Sequence, residues 1–217
     1  MKQKTLLIAS AAVLLLVFIV GTLVYRSEKS DEAFRAVKRN SSLLVRMHSP
    51  TLGRPEAKVH IVEFLDPACE TCRSFYPYVK RILAANPDKI RLSVRYAPFH
   101  KGSDYVVKVL EAARKQGKFW ETLEALFASQ ENWAAHHAPH PQRVWAFLGG
   151  TGLNLEKVKR DMDAPEIAAV IAQDLDDARA LNVTKTPEFF VNGRPMASFG
   201  YDQLKDLVAS ALAQAYR

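Results

Sequence analysis

The sequence has little cysteine, and its positive charge is not clustered. Cys69 and Cys72 are the only cysteines among 217 residues, and a disulfide between them would close a loop too small to stabilise the fold appreciably. The formal net charge is +7, but no run of five or more basic residues occurs, which argues against a nucleic-acid-binding protein. Internal repeats and low-complexity segments are also lacking.

What the sequence does contain is typical of a folded domain. Hydrophobic residues make up 48% of the chain and aromatic residues 10%, which is enough for a packed core and unlike a disordered chain. A length of 217 residues suits one domain and an additional segment.

The additional segment is the N-terminus. No charged residue occurs from Thr5 to Tyr25. An α-helix of that length would extend about 30 Å, which is the thickness of the hydrocarbon core of a bilayer. We therefore predict a transmembrane helix that anchors the chain within residues 1–26. A cleaved signal peptide is the alternative, but its apolar core is usually shorter, and Leu23-Val24-Tyr25-Arg26 is a poor cleavage site.

The charged residues on the two sides of this segment favour opposite orientations in a membrane. Lys2 and Lys4 favour a cytoplasmic N-terminus. The positive-inside rule opposes export of the basic residues that follow the segment, which are Arg26, Lys29, Arg35, Lys38 and Arg39. Long domains are exported largely regardless of such charge, and the redox chemistry inferred below favours export. We expect residues 27–49 to form a juxtamembrane stalk and residues 50–217 to form a catalytic domain outside the cytoplasm.

The first half of the domain has the pattern of a β-α-β unit. Residues 59–65 alternate and are rich in β-branched and aromatic side chains, which predicts a strand. A helix is expected from about Cys69 to about Ala85, where Asn86-Pro87 ends it. Residues 90–96 predict a second strand, so the two strands are joined by a helical crossover.

The second half contains a helical block followed by a hairpin. Several segments between about residues 104 and 181 show near-helical spacing of apolar side chains. Glu188–Val191 and Met196–Phe199 are predicted strands on either side of an Asn192-Gly193 turn, and residues 201–215 predict a last amphipathic helix. We predict an α/β fold in which the helical block is inserted between two β regions.

Cys69 and Cys72 are expected to act as a redox pair. Cys69 lies where the predicted helix begins, and the free N–H groups at a helix N-terminus stabilise a thiolate. Cys72 lies about one turn later, within reach of a disulfide with Cys69. This placement indicates that Cys69 is the exposed nucleophile and Cys72 the more buried resolving thiol. Half of a zinc site and two inert core thiols are the alternatives, and a zinc site would need two further ligands at similar local spacing.

Two other features raise the specificity of this interpretation. Glu63 is a carboxylate within an otherwise apolar strand, six residues before Cys69. Burial would raise the pKa of Glu63 towards the working pH and let it exchange a proton with Cys72, whereas an outward-facing strand residue would have no such role. Thr186-Pro187 precedes a predicted strand, where proline is often a turn device. A cis bond at this position would let the preceding backbone bind an extended substrate segment.

These motifs, in this order, resemble the DsbA-like branch of the thioredoxin superfamily over about residues 50–216. The residues that carry the resemblance are Val62-Glu63-Phe64, Asp66-Pro67-Ala68-Cys69-Glu70-Thr71-Cys72, Gly117-Lys118-Phe119-Trp120 and Lys185-Thr186-Pro187-Glu188-Phe189-Phe190-Val191-Asn192-Gly193. The resemblance implies a thioredoxin fold with an inserted helical domain and dithiol–disulfide exchange outside the cytoplasm. It implies Cys69 as the nucleophile and Cys72 as the resolving cysteine. It also implies Glu63 as a buried acid, and Pro187 as a cis-proline that binds substrate together with Thr186.

The sequence departs from the family pattern between the two cysteines. Strongly oxidising DsbA proteins resemble Cys-Pro-His-Cys, whereas this chain has Glu70-Thr71 there. A histidine beside the thiols can stabilise the thiolate, and Glu70 opposes negative charge. A less stabilised thiolate makes the disulfide less oxidising. We expect a redox potential between those of DsbA and thioredoxin.

The leading hypothesis is an enzyme that oxidises protein dithiols through a Cys69–Cys72 disulfide. A membrane redox partner would recycle the pair, and no cofactor, metal or nucleic acid is expected. A disulfide reductase or isomerase is the alternative, because Glu70 disfavours strong oxidation. The predicted location is the inner membrane, with the catalytic domain facing the periplasm or another extracytoplasmic space.

The histidines allow a third hypothesis. A metal-binding protein could use the two cysteines with His136, His137 and His140. We interpret these histidines as a solvated loop instead, because no acidic or thiol partner lies near them in the sequence. His100 is interpreted as an ordinary loop residue rather than as part of the active-site face.

Overall fold

The computed structural model describes residues 12–25, 27–28, 41–135 and 139–217. Within these residues, five strands form one sheet in the order β1-β3-β2-β4-β5. The strands are β1 (Thr51–Leu52), β2 (Val59–Leu65), β3 (Ile90–Tyr96), β4 (Glu188–Val191) and β5 (Arg194–Pro195).

Helices fill the connections between these strands. The α-helices of the domain are α1 (Glu70–Ala85), α2 (Ser103–Arg114), α3 (Phe119–Ala128), α4 (Gln130–Trp133), α5 (Leu155–Asp161), α6 (Pro165–Ala180) and α7 (Tyr201–Ala215). Short 3-10 helices lie at Ser41–Leu43 and Pro141–Phe147. Helices α2 to α6 are therefore inserted between β3 and β4.

β2 is the central strand, and every one of its residues except His60 is buried. It pairs in parallel with β3, with Leu65 beside Tyr96, and α1 makes the crossover between them. It pairs in antiparallel with β4, where Glu188 lies opposite Phe64. The C-terminal ends of β2 and β3 thus meet the start of β4 at one edge of the sheet. The segment that carries the two cysteines leaves β2 at this edge.

Helices cover both faces of the sheet. α1 and α7 pack on one face through an apolar cluster that includes Phe75 and Leu204. On the other face, a second cluster joins Ala178 of α6 to β2 and β4. The inserted helices build a third cluster around Leu123 and Trp133, and both cysteines belong to it. The redox motif is therefore packed between the sheet and the insertion.

A buried ionic cluster ties the insertion to the sheet. Arg95 on β3 is fully buried, and its Nη2 lies 2.7 Å from Asp174 Oδ1 and 2.5 Å from Asp177 Oδ2, both on α6. Asp174 also accepts a hydrogen bond from the Tyr96 N–H at 2.8 Å. Arg46 Nη2 lies 2.7 Å from Asp177 Oδ1. The cluster fixes α6 relative to β3 because each buried charge has partners on another element.

The residues just before β1 pack against the domain. Leu44 is buried, and His48 Nε2 lies 2.6 Å from Asp174 Oδ1. The sequence predicts a stalk as far as residue 49, but the structure joins residues 44–48 to the domain. The physical reason is that α6 offers buried carboxylates to Arg46 and His48, across a separation of more than a hundred residues in the chain.

The predicted α/β fold with an inserted helical block is confirmed. The predicted return strand at Met196–Phe199 is wrong, because β5 is Arg194–Pro195. Asn192 and Gly193 have φ values of 47° and 79°, so they form a two-residue turn and the return strand starts immediately after it. β1 and α4 were not predicted from the sequence, because they are too short to show a periodic pattern.

The predicted membrane span lies partly outside the described residues. Residues 12–25 are helical, and residues 1–11 are not among those described. Within the described part of the chain, no helix has both the length and the apolar character that crossing a bilayer requires.

Replacing Arg95 tests the buried ionic cluster. The Arg95→Met variant leaves Asp174 and Asp177 without their shared buried cation, which should lower the free energy of unfolding by about 3–5 kcal/mol. Arg54→Met is the control, because Arg54 is 65% exposed and pairs only weakly with Asp88 at 3.3 Å. Urea unfolding followed by circular dichroism measures both changes. Equal losses in the two variants would contradict a structural role for the cluster.

Candidate redox site

The redox motif begins at a tight turn between β2 and α1. The Asp66 carbonyl accepts a hydrogen bond from the Cys69 N–H at 3.0 Å, and Asp66 Oδ1 accepts one from the Ala68 N–H at 2.8 Å. Pro67 lacks the N–H that would continue the strand. Cys69 is the N-terminal cap residue of α1, with extended backbone angles. Its sulfur therefore lies beside the free N–H groups of the first helical turn.

Cys69 is stabilised as a thiolate. Its pKa is lowered to about 5, mainly because the Cys72 thiol donates a hydrogen bond to its sulfur. The Thr186 hydroxyl and the N–H groups of Thr71 and Cys72 also favour the thiolate, while burial opposes it. The protonated Cys69 thiol can donate to the Thr186 carbonyl oxygen, 3.3 Å away. The thiolate is the nucleophilic form of a cysteine, so this environment suits the predicted role of Cys69.

Cys72 has the opposite environment. It is fully buried, and burial raises the pKa of its thiol well above the usual value. The hydrogen bond to the Cys69 sulfur and the negative charge of Cys69 raise the Cys72 pKa further, so Cys72 keeps its proton when Cys69 is ionised. Both cysteines are free thiols in this structure. The Cys69–Cys72 disulfide stays a prediction.

Glu63 lies on β2 as a fully buried carboxyl group, so the outward-facing alternative is excluded. Burial, and after it the negative charge of Cys69, raise the Glu63 pKa to about 8. Neither carboxyl oxygen has a hydrogen-bond partner among the described residues. A carboxyl group that is buried without a partner strongly favours its neutral form near neutral pH. It can therefore hold a proton next to Cys72.

Thr186-Pro187, which immediately precedes β4, lies at the same site although it is more than a hundred residues from Cys69 in the sequence. The peptide bond between these residues is cis, as the resemblance implies. The pairing of β4 with β2 brings Thr186 against Cys69, because Glu188 lies opposite Phe64. Four of the five predicted site residues, Glu63, Cys69, Cys72 and Thr186, thus act on one another's charges or hydrogen bonds. The fifth, Pro187, is bonded directly to Thr186.

Gln130 is a site residue that the sequence analysis missed. It lies on α4 and is almost fully buried. Its Nε2 donates to the Pro67 carbonyl at 2.8 Å and to the Cys69 carbonyl at 3.0 Å. It therefore connects the turn at residues 66–69, which we call the cysteine turn, to the helical insertion. No local signal marks Gln130, because its contact with Cys69 spans 61 residues of the chain.

The interpretation of His100 as an ordinary loop residue is wrong. Its Nδ1 lies 2.7 Å from Asp66 Oδ2, within the turn that carries Cys69. A signal for this contact was available, because Asp66 and His100 both follow parallel neighbouring strands, whose C-terminal ends meet at one edge of the sheet.

The histidine loop is only partly described. His136 and His137 lie outside the described residues, and His140 is exposed. Among the residues that the structure describes, no group of three or more histidine, cysteine or acidic side chains could hold a metal ion.

Known proteins share this sequence pattern. A family model described as thioredoxin matches residues 46–210. The Na(+)/H(+) antiporter NhaA of Herminiimonas arsenicoxydans is 30% identical over 142 residues, which cover 65% of this chain and 22% of the antiporter. The chain thus spans about a quarter of the length of the antiporters that it matches. Disulfide bond formation protein D of Bacillus subtilis (strain 168) is 27% identical over 202 residues, which cover 86% of each chain.

A solved structure shares the fold. A thioredoxin-like oxidoreductase from Silicibacter pomeroyi DSS-3 is 34% identical, with a TM-score of 0.67 over 78% of this chain and 95% of that protein. The predicted thioredoxin fold and the resemblance to DsbA-like proteins are confirmed. Because the family model matches most of its length, the chain belongs to the thioredoxin family.

Proposed function

We propose that this protein is a thiol–disulfide oxidoreductase that forms disulfide bonds in other proteins. The observation that carries the proposal is that the pKa values of the two neighbouring thiols are shifted in opposite directions. The Cys69 pKa is lowered to about 5, and the pKa of the buried Cys72 is raised. The relationship to a disulfide bond formation protein along most of both chains supports the same activity.

The reaction begins with the pair as a disulfide. A substrate thiolate attacks the Cys69 sulfur, because Cys69 is 5% exposed and Cys72 is fully buried. The Cys69–Cys72 bond breaks, and Cys72 leaves with the bonding electrons. A thiolate with a raised pKa is a poor leaving group, so the step needs a proton. Glu63 supplies that proton to the Cys72 sulfur and later recovers one from solvent.

The second step releases the product. The other substrate thiolate attacks the substrate sulfur of the mixed disulfide, and Cys69 leaves as a thiolate. Its low pKa makes Cys69 a good leaving group. The substrate dithiol has then lost two electrons and become a disulfide, while the cysteine pair has gained them. Thr186 and Pro187 bind the extended substrate backbone beside Cys69, and a membrane redox partner removes the two electrons.

The thiolate also sets the direction of electron flow. Stabilising the Cys69 thiolate stabilises the reduced pair, which makes the disulfide oxidising. The Cys69 pKa of about 5 falls between the values for DsbA, about 3.5, and thioredoxin, about 7. Hydrogen bonds from Cys72, Thr186 and the helix N-terminus supply this stabilisation without a histidine between the cysteines.

The proposal places the domain outside the cytoplasm on an N-terminal membrane anchor. Disulfide formation requires an oxidising compartment. The charge-free segment from Thr5 to Tyr25 supports an anchor. Its described part, residues 12–25, is a helix with apolar side chains exposed on every side, such as Val13, Phe18 and Val24. A helix that is apolar all round suits a lipid environment.

The equilibrium redox potential tests the proposed activity. Equilibration with glutathione, read by alkylation of the free thiols, should give a potential between about −270 and −120 mV. The oxidised protein should also convert a dithiol peptide to its disulfide, and the Cys69→Ala variant should not. A potential at or below that of thioredoxin would favour the reductase alternative, for which Glu70 is the sequence argument, and would contradict the oxidase.

The Glu63→Gln variant tests the proton donor. Glutamine preserves the size of the side chain but cannot supply the proton, so oxidation of the peptide at pH 7 should slow by about 100-fold. The advantage of the wild-type protein should shrink as the pH rises through about 8, because Glu63 then loses its proton. Stopped-flow kinetics measure both effects. Glu56→Gln, at an exposed acid, is the control. Equal rates for Glu63→Gln and the wild type would contradict the donor role.

Cell fractionation tests the anchor. The full chain should sediment with membranes and resist extraction at alkaline pH, and removal of residues 1–26 should release a redox-active domain into the soluble fraction. A full chain found in the soluble fraction would overturn the anchor and leave the redox proposal intact.

A further inference from the structure

The Asp66 carboxylate is a buried hub at the start of the redox motif. It has no exposed surface. Its Oδ1 accepts from the Ala68 N–H at 2.8 Å, and its Oδ2 accepts from the His100 N–H at 2.9 Å. The imidazole Nδ1 of His100 lies 2.7 Å from the same Oδ2. The carboxylate thus joins the cysteine turn to the loop that follows β3.

The backbone of Asp66 contacts both cysteines. Its carbonyl accepts the Cys69 N–H at 3.0 Å, and its backbone lowers the pKa of the Cys72 thiol against the larger effect of burial. The position of Asp66 therefore helps to set the backbone of Ala68 and Cys69 at the start of α1. The hydrogen bonds that favour the Cys69 thiolate depend on that geometry, because they come from Thr71, Cys72 and Thr186.

His100 is held firmly enough to act as a support. The Ala97 N–H donates to the Leu65 carbonyl at 2.9 Å, which continues the pairing of the two strands beyond β3. The His100 carbonyl accepts from the N–H of Ser103, the first residue of α2, at 3.0 Å. The backbone that carries His100 is therefore held between the sheet and the first inserted helix. The His100 side chain is 21% exposed, whereas that of Asp66 is fully buried.

We propose that His100 is a positioning residue that, through the Asp66 carboxylate, holds the cysteine turn in the geometry that stabilises the Cys69 thiolate. The proposal rests on the redox function of the pair and adds a residue to it. His100 does not touch the reacting sulfur atoms. It acts by donating a hydrogen bond from its imidazole to Asp66 Oδ2. This bond adds to the one that the His100 backbone N–H donates to the same oxygen.

Two substitutions at His100 separate this role from packing. His100→Ala removes the imidazole donor and keeps the backbone one. His100→Asn keeps one, because the asparagine amide nitrogen lies the same number of bonds from Cα as the histidine Nδ1. The Cys69 pKa, measured by thiolate absorbance, should rise by about one unit in His100→Ala, which corresponds to a tenfold change in equilibrium. The glutathione equilibrium constant should shift about tenfold towards a less oxidising pair. His100→Asn should stay within about twofold of the wild type.

Controls keep the test decisive. His140→Ala, at an exposed histidine, should change neither quantity. If His100→Ala fails to fold by circular dichroism, His100→Gln replaces it, because the glutamine amide reaches the Nε2 position and not Nδ1, and it should behave as the alanine variant. An unchanged Cys69 pKa in the variant without the donor would overturn the proposal. Equal shifts in His100→Asn and His100→Ala would also overturn it.

The outcome is independent of the proposed oxidase activity. The thiolate titration needs no substrate, so it reports the positioning role even if the wild-type protein fails to oxidise a dithiol peptide. A wild-type protein without peptide oxidation would defeat the proposed function, whereas an unshifted pKa in His100→Ala would defeat only the role of His100.

Discussion

The hydrogen bonds around the Cys69 sulfur are the interaction on which the rest of the site depends. A thiolate is favoured there because the sulfur sits at the start of α1, beside the N–H groups of the first turn and the Cys72 thiol. The central strand β2 delivers the chain to this point, and Asp66 and Gln130 hold the turn. The insertion is thus part of the redox site, since its Gln130 side chain binds the turn that carries Cys69.

The pKa values of the two thiols differ because their local environments favour opposite protonation states. Cys69 receives hydrogen bonds that favour its charge, whereas Cys72 is fully buried beside an ionised neighbour and a buried acid. In the proposed mechanism, this difference makes Cys69 the sulfur that bonds to substrate and Cys72 the sulfur that must be protonated. We propose Glu63 as the donor of that proton because burial keeps its carboxyl group neutral near pH 7. The cost of burying an unpaired carboxyl group is consistent with a functional role.

Most of this site could be predicted from local sequence. Cys69 and Cys72 follow a strand and open a helix, and Glu63 interrupts an apolar strand, so their proposed roles could be inferred from their spacing. Gln130 could not be found in this way, because its role exists only once α4 packs against the turn. The attachment of His48 to Asp174 was missed for the same reason. The misplaced return strand is a different case, since the Asn192-Gly193 turn fixes it locally and the two-residue turn rule predicts it.

The central claim is that the folded protein stabilises the reduced pair through the Cys69 thiolate. The most direct measurement is the free energy of unfolding of the reduced and oxidised forms, by urea, across pH. The folded Cys69 pKa of about 5 lies below the value of about 8.5 for an unfolded cysteine. Its stabilisation is therefore fully present above about pH 8.5 and is lost as the pH falls towards 5. The small disulfide loop adds little to the oxidised form. The account predicts a more stable reduced form at pH 7, with an advantage that shrinks on acidification. A more stable oxidised form at pH 7, or an advantage that grows as the pH falls, would contradict it.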